Sequence, residues 1–210
     1  MITLPRIYAI TDCRISGLSH AEQVRRLAAG GIRWIQLREK TASPREFYHQ
    51  AREAVAVARA LGVTLIINDR ADIALAVGAD GVHLGQDDLP PEKARALLGP
   101  EKIIGFSTHS LEQAMAAQAL PVDYIAFGPI FPTRTKENPD PVVGVEQLRR
   151  LRQAVEKPLV AIGGITLERA RDVLAAGADA LAVISDLLSH PDITQRARQY
   201  IETCCSDSEP

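Results

Sequence analysis

The 210-residue chain is predicted to be an α/β protein, a single-domain (β/α)8 TIM barrel. Three observations predict it. Short apolar runs rich in Ile and Val alternate with longer segments of helical period. The alternation occurs eight times, and no linker or low-complexity stretch divides it. Short, continuously apolar runs suit parallel strands buried on both faces. Eight such units joined by right-handed crossovers favour a closed barrel over an open sheet.

In order, the strands are expected at 6–12 (RIYAITD), 34–39 (WIQLRE), 64–69 (TLIIND), 81–86 (GVHLGQ), 102–108 (KIIGFST), 123–129 (DYIAFGP), 158–164 (PLVAIGG) and 180–185 (ALAVIS). Each precedes a helical segment. Ser43-Pro44 sets an N-cap before a first-turn proline, opening a helix that runs to about Leu61 and stops at Gly62. Thr166, with Glu168 and Arg169, opens another that stops at Gly177; in it Ala170, Val173 and Leu174 share one face. The phrases AVGADGVHL and LAAGADALAV echo each other as helix-turn-strand units would. The barrel domain is expected over residues 1–203, with CCSDSEP (204–210) a frayed tail.

Composition narrows the function. A 46% hydrophobic chain rich in Ala, Val, Ile and Leu can build a large core without staples. With net charge −2 and mixed signs along the chain, no basic stripe marks a nucleic-acid binder. Cys13, Cys204 and Cys205 lack metal-ligand spacing in sequence and read as free thiols in a reducing compartment. The opening MITLPRIYAITD lacks a signal-peptide pattern, and no stretch approaches the ~20 apolar residues of a membrane span. A cytoplasmic protein with no membrane partner is expected.

In such a barrel, chemistry gathers at the C-terminal ends of the strands. Polar residues concentrate there. Alternation puts Gln36, Arg38 and Lys40 on one side of the second strand, with Leu37 and Glu39 on the other. Arg38 and Lys40 would complement phosphate charge, or else lie solvated. Asn68-Asp69 end the third strand, and Gln86-Asp87-Asp88 follow the fourth. Asp69 and Asp88 suit a hard cation such as Mg²⁺ shared with substrate phosphates, but either aspartate equally suits a helix cap. Asp87 reads as a cap or a solvated neighbour. Ser107-Thr108-His109 end the fifth strand. His109 has the chemistry of an acid or base, though a capping or packing role is the commoner one, and His83 reads as a satisfied core histidine. The loop PTRTKENP mixes hydroxyls and cations that can close on an anion or merely form an exposed turn. Gly163-Gly164 and Ile184-Ser185 occupy the position where many barrels cradle phosphate on backbone N–H groups.

Taken together, YAITD, IQLREK, INDRADIALAVGADGVHLGQDDLP, IGFSTHS, DYIAFGPIFPTRTK, VAIGGI and LAVIS, in order from Tyr8 to Ser185, resemble the thiamine phosphate synthase family. That family joins 4-amino-2-methyl-5-hydroxymethylpyrimidine diphosphate to a thiazole phosphate and releases diphosphate. The resemblance implies that Gln36 to Lys40, so Gln36, Leu37, Arg38, Glu39 and Lys40, bind the pyrimidine diphosphate, with Asn68 and Ser107 on the same substrate. It implies Mg²⁺ on Asp69 and Asp88. Thr133, Arg134 and Thr135 would meet the thiazole phosphate, Lys136 the diphosphate, and Gly164 with Ile184-Ser185 would complete the phosphate cradle. Arg38, Lys40, Ser107 and Lys136 would carry the catalytic work. The implied reaction is dissociative, with diphosphate leaving before the thiazole nitrogen attacks, so no protein nucleophile is needed. Two alternatives share the scaffold: a thiazole tautomerase using a histidine in the strand-five loop, and a non-catalytic binder of thiazole phosphate. The chain departs from the family in Phe106 before Ser107 and in the run ENPDP after Lys136. Oligomeric state does not follow from the sequence.

Overall fold

All eight apolar runs become strands. The computed structural model describes residues 2–133, 135, 138 and 140–205. From the N-terminus, β1 (Ile7–Thr11) leads through the one-turn α1 (Cys13–Ser16) into α2 (His20–Ala29). Then come β2 (Trp34–Leu37) with α3 (Pro44–Ala60), β3 (Thr64–Asn68) with α4 (Ala71–Val77), and β4 (Gly81–Leu84) with α5 (Pro91–Leu98). The second half holds β5 (Ile103–Thr108), α6 (Leu111–Ala117), β6 (Tyr124–Phe127), α7 (Gly144–Ala154), β7 (Leu159–Ile162) and α8 (Leu167–Ala175). It ends with β8 (Ala180–Val183), the short α9 (Ser185–Leu188) and α10 (Ile193–Cys205). The strands pair in chain order, all parallel, and β1 closes the barrel by pairing with both β2 and β8, Ala9 lying opposite Ile35 and Val183.

Successive strand residues point to opposite faces, so closure produces two concentric cores. Ile35, Leu37, Ile67, Leu84, Phe106, Phe127 and Leu181 face outward and pack under the helices. Tyr8, Ile10, Trp34, Ile66, Tyr124, Val160 and Ala182 face inward and fill the barrel. Each fully buried Ile or Leu contributes about 1.5–3 kcal/mol of burial free energy. Polar replacements at inner positions are therefore costly unless they are hydrogen-bonded or functional.

Most strands end one or two residues before their apolar runs do. The final residues of those runs leave the ladder to build the mouth. The predicted helix at Ser43 forms with a full capping box: the Ser43 hydroxyl accepts from Glu46 N, and the Glu46 carboxylate accepts from Ser43 N. In α8, Ala170 and Val173 are buried as the spacing required. The C-terminus differs from expectation. Cys204 and Cys205 form the last turn of α10, and Cys204 packs on the outer core, so the helix extends past residue 203; residues 206–210 are outside the described set.

Candidate active site

A cavity of about 490 Å³ opens at the C-terminal ends of the strands. Gln36, Arg38, Lys40, Asn68, Asp69, Asp88, Ser107, Thr133, Thr135, Gly164, Ile184 and Ser185 all line it, so the barrel gathers expected site residues from the ends of seven of its strands. Arg134 and Lys136 lie outside the described residues. Leu37 and Glu39 are not brought into the cavity. Leu37 is fully buried in the outer core, and Glu39 turns toward α2, as strand alternation dictates. A second hollow, about 670 Å³, lies among Ile2, Arg6, Glu156 and the Arg152–Asp179 ion pair. It lies at the opposite, N-terminal ends of the strands, and none of the expected site residues lines it.

On the β2–β4 side, side chains carry the charge. Arg38 is nearly buried and its Nη1 lies 2.5 Å from Asp12 Oδ2, which fixes the guanidinium at the cavity wall. Lys40 Nζ donates to Asp69 Oδ2 at 2.5 Å. Asp69 has φ of 63°, the left-handed region where Asn and Asp are the most tolerated side chains. Its backbone N–H is held by His83 O at 2.7 Å. Asp88 Oδ2 accepts from Gly85 N at 2.6 Å, tying its carboxylate across the turn that follows β4. Neither aspartate caps a helix: α4 and α5 open without side-chain capping bonds. The Asp88 carboxyl is pushed above its ordinary range, first by burial and then by the charge of Asp69 facing it. Beside them, the buried Asn68 Nδ2 has no hydrogen-bond partner and is positioned to donate to a ligand.

Beneath the cavity runs a buried chain of hydrogen bonds that crosses the barrel. Gln36 Nε2 donates to the Tyr8 hydroxyl (3.0 Å), and the Tyr8 and Tyr124 hydroxyls lie 2.8 Å apart. Tyr124 Oη sits 2.9 Å from His83 Nδ1, and His83 Nε2 sits 2.8 Å from Ser107 Oγ. The donor at Gln36 imposes a direction on the whole chain. Tyr8 donates to Tyr124, Tyr124 donates to a bare Nδ1, and His83 therefore donates from Nε2 to Ser107. The Ser107 O–H is left to point into the mouth. Burial depresses His83 to a pKa of about 4, so it is neutral and the polarity is stable near neutral pH. Gly105 is required here. A Cβ at Gly105 would fall 2.3 Å from the Tyr124 hydroxyl and 2.5 Å from His83 Nδ1. His83 is thus a satisfied core histidine, as its sequence context indicated. His109 is engaged too, its Nδ1 2.8 Å from Gly128 O.

Across the mouth, the β7–β8 side offers backbone. Gly163 and Gly164 have φ of 99° and 63°, and a Cβ on either would strike the loop after β6, 2.6 Å from Pro129 Cα and 2.5 Å from Pro132 O. Arg169 pins that loop: its guanidinium lies 4.5 Å from the Phe131 ring and donates to Gly164 O at 3.0 Å. In the same loop, Thr135 N donates to Thr133 Oγ1 at 3.3 Å. Ile184-Ser185 adjoins, where α9 begins.

Sequence reasoning missed Asp12, Tyr8 and Tyr124. Asp12 ends the first predicted strand, a usual position for a functional residue, but nothing in one sequence joins it to Arg38. The tyrosines read as ordinary core. Phe106 faces the outer core behind Ser107 and leaves the mouth unaltered.

The comparisons with known proteins bear on this site as a whole. A family model described as thiamine monophosphate synthase matches residues 7–187. A thiamine-phosphate synthase of Koribacter versatilis is 50% identical over 210 residues, covering 96% of each chain. One of Syntrophomonas wolfei is 49% identical, covering 92% of this chain and 93% of its own. The solved thiamine phosphate pyrophosphorylase of Pyrococcus furiosus superposes with a TM-score of 0.88 at 37% identity, covering 97% of both chains. A geranylgeranylglyceryl phosphate synthase of Thermoplasma acidophilum, at 17% identity and TM-score 0.70, shares the fold alone. With the matched region running from β1 into α9 and so spanning every strand that lines the mouth, the chain belongs to the thiamine monophosphate synthase family.

Proposed function

We propose that the chain is a transferase that joins a pyrimidinylmethyl diphosphate to a thiazole phosphate, forming thiamine phosphate and diphosphate. One observation carries this reading. Two carboxylates and two cations, Asp69 and Asp88 with Lys40 and Arg38, converge on one side of a cavity whose opposite side is glycine-rich backbone. A diphosphate and a monophosphate need those two different surroundings.

The donor set suits a hard divalent cation. Asp88 is pushed toward its protonated form by burial and by Asp69, a conflict that a bound cation would relieve. Asp69 and Asp88 would hold it, Mg²⁺ in this reading, and it would neutralise charge on the departing diphosphate. The side chains do the rest. Arg38, braced by Asp12, and Lys40, which is shared with Asp69, bind the diphosphate oxygens as the C–O bond breaks. Lys136 would add a further cation. Asn68 Nδ2 and the Ser107 O–H donate to the pyrimidine substrate, and Gln36 frames its ring. Loss of diphosphate leaves a pyrimidinylmethyl cation, stabilised by the ring amino group; the thiazole nitrogen supplies the electron pair that forms the new C–N bond. Thr133, Arg134, Thr135, Gly164, Ile184 and Ser185 seat the thiazole phosphate so that its nitrogen faces that carbon. No protein nucleophile enters. His109 lines the cavity with Nδ1 on Gly128 O, but in a tautomerase the paired carboxylates would stand idle. The reading places the reaction in the cytoplasm. Among the described residues, no helix is long and apolar enough to cross a membrane.

The test is product release from both substrates with Mg²⁺ and then with EDTA. Equal amounts of thiamine phosphate and diphosphate, formed only with the metal, support the reading. Folded protein that binds thiazole phosphate but forms neither product overturns it.

A further inference from the structure

On the outer side of β2, away from the mouth, Glu39 meets two residues far from it in sequence. Cys13 in α1 and His20, the first residue of α2, bring Sγ and an imidazole nitrogen toward the Glu39 carboxylate. One ligand atom from each of the three lies within 4.8 Å of the others. His20 is 1% exposed, and its Nε2 has no hydrogen-bond partner. Glu39 Oε2 lies 3.5 Å from it.

The tautomer of His20 makes this arrangement informative. Thr11 Oγ1 donates to Gln36 O at 3.3 Å, so it accepts from His20 Nδ1, 2.7 Å away. Nδ1 therefore carries the proton, and neutral His20 turns a bare lone pair from Nε2 toward Glu39. The facing group is also an acceptor. Partial burial works against ionisation of Glu39, but N–H bonds from Thr41 and Ala42 outweigh it and hold the carboxyl down at about 2. Burial meanwhile disfavours the charged form of His20. Two lone-pair acceptors thus face each other, with the Cys13 thiol beside them.

We propose that Cys13, His20 and Glu39 form a metal site distinct from the Asp69–Asp88 pair, one that takes a thiolate-binding divalent cation of the zinc class. Each ligand is braced from behind, as metal ligands usually are. His20 is fixed through Thr11. Glu39 Oε1 accepts from Thr41 N (2.6 Å), Thr41 Oγ1 (2.9 Å) and Ala42 N (3.0 Å), leaving Oε2 for the cation. Burial, with the charges of Glu39 and Asp12, pushes the Cys13 thiol up; Gln23 Nε2 at 3.7 Å from Sγ and the His20 backbone N–H oppose that, and a bound cation would hold the thiolate. A sulfur, an imidazole and one carboxylate with water in the fourth position is a zinc donor set, and a tetrahedral ion would draw the three donor atoms to roughly 3.3–3.8 Å of one another. On binding, the Cys13 S–H bond breaks, its proton leaves to solvent, and the sulfur electron pair forms the metal bond. The ion would tie the loop after β2, which carries Arg38 and Lys40, to the turn between α1 and α2.

The experiment uses the full chain carrying Cys204→Ser and Cys205→Ser, which removes the adjacent thiols of α10. Anaerobic Co²⁺ titration should produce a near-ultraviolet thiolate-to-cobalt charge-transfer band that saturates at one ion per chain. Cys13→Ser should abolish the band and His20→Asn should weaken Co²⁺ binding, while Asp69→Asn leaves the band in place. In parallel, Zn²⁺ should slow alkylation of Cys13 by iodoacetamide about ten-fold or more, read by peptide mass, and Mg²⁺ should not. The alkylation arm needs no Cys13 variant and stands if that variant fails to fold. No band, a band that survives Cys13→Ser, or Cys13 alkylated equally with and without Zn²⁺ would overturn the proposal. A protonated His20 paired with Glu39, seen as an imidazolium that titrates above its ordinary value, would overturn it as well.

Discussion

On the β2–β4 side of the mouth, the wall is built of titratable and cationic side chains at strand ends: Arg38 against Asp12, Lys40 against Asp69, and Asp88 tied to Gly85 N. On the β7–β8 side it is built of main chain, where Gly163 and Gly164 bend tightly enough for the loop after β6 to pack against them. The difference follows from what each side is proposed to hold. A diphosphate that leaves with its charge needs cations that strengthen as the bond breaks. A monophosphate that only anchors its substrate needs fixed N–H groups, whose hold need not change during the reaction. The barrel keeps the two apart with a neutral floor, the Gln36-to-Ser107 hydrogen-bond chain.

The sharpest way to break this comparison is Asp69→Asn. Asn tolerates the left-handed backbone, so the change removes charge with little strain. Turnover at saturating Mg²⁺ should fall by about two to three orders of magnitude with the melting temperature nearly unchanged. Near-normal turnover would remove Asp69 from the metal assignment. EDTA should then separate the halves by calorimetry: affinity for the pyrimidine diphosphate falls about ten-fold or more, while thiazole phosphate affinity stays within about two-fold. Equal losses for both would end the distinction. Gly164→Ala probes the other half. Its Cβ would meet Pro132 O, so KM for thiazole phosphate should rise about ten-fold, with the diphosphate substrate's KM little altered.

The floor yields a pH prediction. His83 has a folded-state pKa of about 4, below the ordinary 6.5, so the unfolded chain binds the extra proton first as pH falls. The stability is present above pH 6.5 and is lost as pH drops from there toward 4, by up to about 3 kcal/mol. Denaturant melts across that window check it, with His83→Gln expected to flatten the slope. Tyr124→Phe leaves His83 Nδ1 without its donor and should cost about 1–3 kcal/mol in the same melts at neutral pH. If neither variant moves the melts, the floor is not the rigid element described.

Much of this was legible in the sequence, for local reasons. The eight apolar runs report burial on both faces of a parallel strand, and burial in both cores is what the barrel imposes. Alternation alone separated Gln36, Arg38 and Lys40 from Leu37 and Glu39, although the whole QLREK stretch was expected at the substrate. For Asp69 and Asp88 the sequence leaves ligand and cap equally open, because a carboxylate before a helix looks the same in either role. The structure shows both without a capping bond and with their charges facing each other.

What the sequence by itself determined is the fold class, the eight strands and the strand-end addresses of the site, since these depend on periodicity and on local steric rules. Only the tertiary structure decided which addresses meet. The Arg38–Asp12 pair, the hydrogen-bond chain through Tyr8, Tyr124 and His83, and the Cys13–His20–Glu39 cluster join residues from separate strand-helix units. Their contact depends on barrel closure and register, which place side chains within ångströms by geometry that no short stretch of chain encodes.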